Sequence, residues 1–163
     1  MQLLLDTHLL IWAMGSPERL DPALVAMIED PRNTPVFSVA SLWEVVIKQA
    51  LGKPGFQVQP ELLRRALLEG GWRELSVQSH HVLAVAQLPH LHRDPFDRLL
   101  VAQAQTEGLL LTTADEQLSR YPGPIRRMCS TERLRLHLTP FSHHVGWPGQ
   151  LSEHSRQEQS QRP

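Results

Sequence analysis

Four acidic side chains each follow an apolar run or open an amphipathic segment: Asp6, Glu44, Asp97 and Asp115. Because open α/β sheets bind ligands at the carboxyl ends of their strands, we expect these four carboxylates to converge in one cleft. Clustered carboxylates repel one another unless a cation holds them, and Mg²⁺ and Mn²⁺ prefer oxygen ligands. The pattern therefore predicts a metal-dependent enzyme that acts on phosphate groups.

Short apolar runs alternate with helical segments and predict the scaffold that positions these acids. Strands are predicted at 3–5, 36–39, 72–77, 109–112 and around Arg126. Helices are predicted at 8–14, 22–29, 41–51, 60–69, 79–88, 94–105 and 115–121. Such alternation favours an α/β fold with a parallel sheet and right-handed crossovers.

Composition limits the classes of protein that remain. The chain has 163 residues, 41% of them hydrophobic, which suits one domain with an ordinary core. A net charge of −1 gives no global basic field for nucleic acid. The single cysteine, Cys129, excludes an intrachain disulfide and a cysteine-based zinc site, and it fits a reducing, cytoplasmic location. No apolar run reaches the ~18 residues of a membrane helix, and the N-terminus lacks the basic start of a signal peptide.

A change in composition after about Met128 divides the chain into two parts. Residues 1–128 form the predicted domain, and residues 129–163 form a C-terminal extension that ends in the polar stretch LSEHSRQEQSQRP. Such a stretch cannot bury enough apolar surface to offset its ordering entropy. The extension is therefore predicted to be largely disordered.

Each acid of the set also has an ordinary structural explanation. Asp6 and Asp115 are both placed to cap the helices that follow them, and Glu44 stands three residues after Ser41, which fits a capping box. These explanations account for the acids one by one. They account less well for three acids that come directly after apolar strands or within a turn of them.

The segment DPFD separates a structural acid from a candidate functional one. Asp94 followed by Pro95 is typical of a helix start, because Pro95 has no N–H to leave unpaired at the first helical position. Asp97 lies one turn further on and either complements the helix dipole or faces the cleft. We assign Asp94 to capping and Asp97 to the acidic set.

Several histidines are weaker candidates. His8 lies near Asp6, but a lone histidine more often packs or donates a hydrogen bond than catalyses. The pairs His80–His81 and His90-x-His92 are possible transition-metal ligands, yet no third ligand follows either pair at a familiar spacing. His143–His144 falls in the polar extension.

Two cations and two tryptophans have alternative roles. Lys48 stands four residues after Glu44 and either forms an i,i+4 ion pair or contacts phosphate at the cleft rim. Arg98, next to Asp97, has the same two alternatives. Trp12 and Trp43 fall on apolar helix faces, which favours a core or interface role over RNA stacking.

Four stretches together resemble the PIN-domain ribonucleases of the VapC toxin type: LLLDTHLLIW, FSVASLWEVVIKQALGK, LPHLHRDPFDRLLVAQA and EGLLLTTADEQLSRY. They cover most of residues 1–122 in the expected order. The resemblance implies a PIN-like α/β/α sandwich with a central parallel sheet. It also implies Mg²⁺- or Mn²⁺-dependent cleavage of RNA, a cognate antitoxin protein of a type II toxin–antitoxin pair, and a homodimer.

The same resemblance assigns roles to individual residues. It makes the acidic set both catalytic and metal-binding, through one or two ions, with Asp6 and Asp97 as the foremost ligands. It places the hydroxyls of Thr7 and Thr113 beside the pocket. The sequence departs from the family pattern after Tyr121, where PGPIRRMCSTERLRLHL lacks the expected short terminal strand and aromatic close.

Two other classes compete with an active ribonuclease. One is a catalytically inactive PIN-like module that binds RNA or protein; the complete acidic set argues against it, because carboxylates repel an anionic ligand. The other is a phosphatase on a doubly wound fold, which would need an Asp-x-Asp pair after the first strand where this chain has Asp6-Thr7-His8.

Overall fold

The computed structural model describes residues 1–52 and 56–128. The helices are α1 (Thr7–Gly15), α2 (Pro22–Glu29), α3 (Val39–Ala50), α4 (Pro60–Glu69), α5 (Ser79–Val85) and α6 (Pro95–Glu107). The strands are β1 (Gln2–Leu5), β2 (Thr34–Ser38), β3 (Arg73–Leu75), β4 (Leu110–Thr113) and β5 (Ile125–Arg127), with 3-10 turns at Pro17–Arg19 and Leu118–Arg120. None of the helices in the described ranges is long and apolar enough to cross a membrane. The predicted C-terminal extension lies outside these ranges.

The five strands form one parallel sheet in the order β3-β2-β1-β4-β5. The chain runs outward from β1 to β2 and β3, then crosses to β4 on the other side of β1. Strands β1 and β4 therefore flank the point where the strand order reverses, with Leu5 opposite Thr112. Ligands of open α/β sheets bind outside the strand ends at this point, which is where Asp6 and Asp115 follow their strands.

Two apolar cores cover the two faces of the sheet. Leu3 and Leu5 of β1 point into the core formed with α1, α2 and α4, whereas Leu4 points into the core formed with α5 and α6. This alternation is what a strand imposes, since successive side chains point to opposite faces. The predicted α/β/α sandwich is confirmed, and burial on both faces fixes the end of β1 from which Asp6 projects.

Helix α3 begins two residues earlier than the sequence predicted. The hydroxyl oxygen of Ser38 accepts the backbone N–H of Ala40 at 3.0 Å, so the last residue of β2 is itself the helix cap. Ser41 lies inside the helix, and the capping box proposed for Ser41 and Glu44 is wrong. Glu44 therefore does not cap the helix.

Two other predicted helices are shorter in the structure. Helix α5 ends at Val85 rather than at residue 88, because the N–H groups of residues 86–88 bond to carbonyls three residues back instead of four. The Arg98 guanidinium binds the carbonyls of Val85 and Leu88 at this end. The segment 115–121 is not an α-helix and contains only the 3-10 turn Leu118–Arg120.

The predictions for the ends of α6 and for the last strand are confirmed. The Asp94 carboxylate accepts the N–H of Phe96 at 2.8 Å, and α6 ends at Gly108 with a φ of 65°, a conformation that favours glycine. Strand β5 pairs with β4 through residues 125–127. The strand predicted around Arg126 is therefore confirmed, and the missing terminal strand inferred after Tyr121 was wrong.

Candidate active site

Asp6 is a buried carboxylate at the end of β1. Its Oδ1 accepts the N–H of Leu9 at 2.8 Å and so caps α1, while its Oδ2 accepts the Thr113 hydroxyl at 2.5 Å and the Ala114 N–H at 3.2 Å. Burial raises the pKa of Asp6, and these hydrogen bonds oppose that rise. A carboxylate has about four lone-pair positions, and these three donors leave one of them free. Asp6 can cap α1 and still face a ligand.

Glu44 projects from α3 and is equally buried. Its Oε2 accepts the Thr7 hydroxyl at 2.5 Å, and its Oε1 lies 2.5 Å from the ammonium of Lys48. Thr7 is the residue after Asp6, so this contact ties α3 to the end of β1. Lys48 forms the i,i+4 ion pair that was one of its two predicted roles.

Asp97 lies in the first turn of α6 and has the least compensated charge of the set. Burial is the largest cause that raises the pKa of Asp97, followed in order by the charges of Asp94, Glu44, Asp6 and Asp115, and together they bring it to about 7. No N–H or O–H within residues 1–52 and 56–128 donates a hydrogen bond to this carboxylate, whose side chain is 20% exposed. A cation beside Asp97 would remove most of this penalty.

Asp115 follows β4 and is the most exposed of the four acids, at 41% of its side chain. Its Oδ1 accepts the N–H of Gln117 at 2.5 Å, and its own N–H donates to the Thr113 hydroxyl at 2.9 Å. The Thr113 hydroxyl thus links Asp115 to Asp6. Both threonines that the family resemblance placed beside the pocket contact acids of the set.

The four acids lie together at the carboxyl ends of the strands, where the charges of the other three raise the pKa of Asp97. The atoms they offer as ligands are carboxylate oxygens, which suit a hard divalent cation and not a soft one. Asp97 has free acceptors, and Asp6 has one more than its three donors use. Both side chains could therefore hold a divalent ion, and Glu44 and Asp115 complete the acidic wall. Ligand oxygens of Asp97 and Asp115 lie within 4.8 Å of each other.

Other predicted candidates lie elsewhere. Arg98 is buried, and besides the end of α5 it binds the carbonyl of Pro89 at 3.3 Å, so its guanidinium stabilises the fold. His8 is exposed beside Trp12. Trp43 is 58% exposed and meets Phe96 edge-on at 4.9 Å, so it is not a core residue.

The histidine pair His80–His81 gains a third polar partner that its sequence spacing did not reveal. Glu107, at the end of α6, lies 2.8 Å from Nε2 of His81 and 3.1 Å from Nε2 of His80. The N–H of Gln78 donates to Nδ1 of His81, so the ring proton of neutral His81 is on Nε2 and points at Glu107. This cluster joins α5 to α6 by hydrogen bonds, and metal ligation through Nε2 would disrupt the bond from Gln78.

The pair His90-x-His92 is divided between two environments. His90 faces the Arg98 guanidinium at 3.3 Å, whereas His92 lies between Asp97 and Asp115, 3.4 Å from a carboxylate oxygen of each. The two rings therefore do not form one metal site. Sequence reasoning missed His92 as a member of the acidic cleft, because the only signal was its position just before the helix that carries Asp97.

Comparison with known families identifies the fold and the family. The PIN domain model matches residues 3–124, and the chain belongs to the PIN domain family. No curated protein sequence matches it significantly.

Solved structures of similar fold come from bacterial toxin–antitoxin complexes. VapBC2 from Rickettsia felis, bound to a DNA fragment from the promoter, matches with a TM-score of 0.59 and 17% identity over 78% of this chain and 99% of that one. VapBC-1 from nontypeable Haemophilus influenzae matches with a TM-score of 0.51 and 21% identity over 74% and 91%. A toxin–antitoxin complex from Klebsiella pneumoniae matches with a TM-score of 0.53 and 19% identity over 76% and 95%. At these identities the likeness establishes the fold.

Proposed function

We propose that this protein is a Mg²⁺- or Mn²⁺-dependent endoribonuclease and the toxin of a toxin–antitoxin pair. The observation that carries the proposal is the position of Asp97, a half-buried carboxylate surrounded by Asp6, Glu44 and Asp115 at the switch point of the sheet. Membership of the PIN domain family and the fold shared with VapBC complexes support it.

In this proposal Asp6 and Asp97 hold the divalent ion, and Glu44 and Asp115 complete the site. A bound ion reverses the local charge for the anionic phosphodiester, lowers the pKa of a coordinated water and stabilises the leaving oxygen. The protein supplies rigid placement: the Thr113 hydroxyl fixes Asp6, and the Thr7 hydroxyl together with Lys48 fixes Glu44. Preorganised groups of this kind need no rearrangement during the reaction.

Water is the proposed nucleophile. Its oxygen forms a bond to phosphorus as the bond to the 3′-oxygen breaks, which leaves a 5′-phosphate and a 3′-hydroxyl. This reaction does not use the 2′-hydroxyl, so no 2′,3′-cyclic phosphate forms. Unpaired RNA is the expected substrate, because its backbone can bend into a narrow cleft and its bases can be splayed for recognition.

An inactive binding module remains the alternative. It is less favoured because the ionised carboxylate of Asp97 destabilises the fold. Without a cation, the same charge would also repel the phosphates of RNA. A site that only bound RNA would gain from a neutral or basic residue at this position.

Metal dependence tests the proposal directly. Wild-type protein incubated with unpaired RNA should cut it in Mg²⁺ or Mn²⁺, should stop when EDTA is added in excess, and should resume when metal is restored. Products resolved on a denaturing gel provide the measurement. Cleavage that continues unchanged in EDTA would eliminate the mechanism and leave the binding module as the better account.

We also propose an antitoxin partner and a homodimer. The antitoxin is supported by the VapBC complexes that share the fold, and we expect a segment of it to cover the acidic cleft. The homodimer is supported by an apolar groove of about 450 Å³ between α3, α5 and α6, lined among others by Trp43, Val82 and Phe96. Trp43 and Val82 are 58% and 54% exposed, which is typical of a surface that another protein covers.

The dimer can be tested with a matched pair of charge substitutions. Trp43→Glu places a charge in the groove and should convert a micromolar dimer to a monomer in light scattering. Leu62→Glu is the control, since Leu62 is 48% exposed on α4 and does not line the groove. A wild-type monomer at this concentration, or equal effects of both substitutions, would count against a dimer through this groove.

A further inference from the structure

His92 is held in one orientation between two acids of the cleft. Its backbone N–H donates to the Tyr121 hydroxyl at 3.0 Å, and its Nδ1 accepts the N–H of Asp94 at 3.1 Å. Tyr121 is almost fully buried, and the His92 side chain is only 13% exposed. The ring therefore lies between the start of α6, which it contacts through Nδ1, and the loop after β4, where its Nε2 faces Asp115.

The hydrogen bond from Asp94 determines which ring nitrogen carries the proton. A backbone N–H is always a donor, so Nδ1 must present its lone pair, and the proton of neutral His92 is on Nε2. Nε2 lies 3.4 Å from Oδ2 of Asp115. With Nδ1 engaged and Nε2 protonated, the ring has no free lone pair for a metal ion. His92 is an N–H donor to the cleft and not a ligand.

We propose that His92 is a positioning residue that directs Asp115 toward the other three acids through its Nε2–H. Asp115 needs such a partner, because it is the most exposed of the four carboxylates and its Oδ1 is engaged with Gln117. The distance of 3.4 Å exceeds that of a normal N–H···O bond. Contacts of this kind are often long without substrate and shorten in the reacting complex. This inference rests on the proposed nuclease function.

Two substitutions separate the two nitrogens of His92. His92→Asn keeps an acceptor near the position of Nδ1 for the Asp94 N–H and removes the donor to Asp115. His92→Gln keeps an N–H near the position of Nε2 and removes the acceptor near Nδ1. If His92 acts on Asp115, the Asn variant should lose roughly 10–100-fold in cleavage rate at saturating RNA or in Mn²⁺ affinity, and the Gln variant should retain most of both.

A double-mutant cycle with Asp115→Ala completes the test. The effect of His92→Asn should disappear in the Asp115→Ala background, because the residue acts through that carboxylate. Mn²⁺ binding is measured by calorimetry without RNA, and thermal unfolding reports folding of each variant. Equal losses for Asn and Gln, or an Asn effect that persists in Asp115→Ala, would overturn the inference and assign His92 a purely structural role.

Failure of the inference and failure of the proposed function give different results. A wild-type protein that binds Mn²⁺ but cuts no RNA contradicts the proposed nuclease, while the metal-binding cycle still decides the role of His92. A wild-type protein that cuts RNA with the Asn and Gln variants indistinguishable contradicts only the role of His92. Absence of both metal binding and cutting overturns both.

Discussion

Replacing Asp97 by Asn should abolish RNA cleavage and at the same time stabilise the metal-free protein. We expect the rate to fall at least ~10²–10³-fold, the scale seen when one electrostatic stabiliser is removed from a reacting centre. Asn keeps the size of the side chain but removes the charge that the divalent ion needs. Initial rates of cleavage in Mg²⁺ provide the measurement.

The gain in stability should depend on pH in a defined direction. The pKa of Asp97 rises from 3.8 to about 7 on folding, so the stability it contributes is complete below pH 3.8 and is lost as the pH rises through about 7. The asparagine side chain of the variant has no charge to bury. The free energy of unfolding of Asp97→Asn in EDTA should therefore exceed that of wild type by roughly 2–4 kcal/mol at pH 8, with no such difference below pH 3.8. A pH-independent difference in urea titrations would contradict this account.

Asp94→Ala is the matched control for Asp97. Asp94 lies three residues away on the same helix start and caps it through the N–H of Phe96. Its removal should lower stability by about 0.5–2 kcal/mol and leave cleavage per folded molecule mostly intact. A loss of cleavage as complete as that of Asp97→Asn, in a folded protein, would refute the division of roles between the two acids.

Asp6 combines a structural and a catalytic role, and two substitutions should separate them. Both Asp6→Asn and Asp6→Ala should lose cleavage on the same scale as Asp97→Asn, since each removes a charge that holds the ion. Asn retains an oxygen for the Leu9 N–H at the start of α1, whereas Ala removes this acceptor. Asp6→Ala should therefore be less stable than Asp6→Asn by about 0.5–2 kcal/mol in chemical unfolding. Substantial cleavage by Asp6→Asn would remove Asp6 from the proposed metal site.

The sequence predicted most of the architecture because local signals agree with the tertiary fold. Helix α4 has the predicted bounds, and Asp94 and Gly108 mark the ends of α6 as expected. The start of α3 was missed because Ser38 is both the last residue of β2 and the cap of α3, so no loop separates the two elements. The segment 115–121 was predicted to be a helix but forms only the 3-10 turn Leu118–Arg120. Leu118 is the one residue of this turn that is buried, so no longer helix is needed to pack the segment against the core.

The acids of the cleft were predictable, as were the contacts of Thr7, Thr113 and Lys48 with them, whereas the contacts made by the histidines were not. Strand ends and helix starts are visible in the sequence, and parallel topology brings them together. The contacts of His92 with Asp97 and Asp115, and of Glu107 with His80 and His81, depend on how α5, α6 and the loop after β4 pack. The two predicted roles of Arg98 were both wrong, because its guanidinium is directed to the end of α5 by packing that no local pattern records.

The products of RNA cleavage in ¹⁸O-labelled water test the central claim most directly. With Mg²⁺ present, mass spectrometry should find fragments with a 3′-hydroxyl and a 5′-phosphate that carries one oxygen from solvent, and none of these fragments should form with Asp97→Asn or in EDTA. Fragments that end in a 2′,3′-cyclic phosphate, or a 5′-phosphate without the label, would contradict metal-dependent hydrolysis by water at the four-carboxylate cleft.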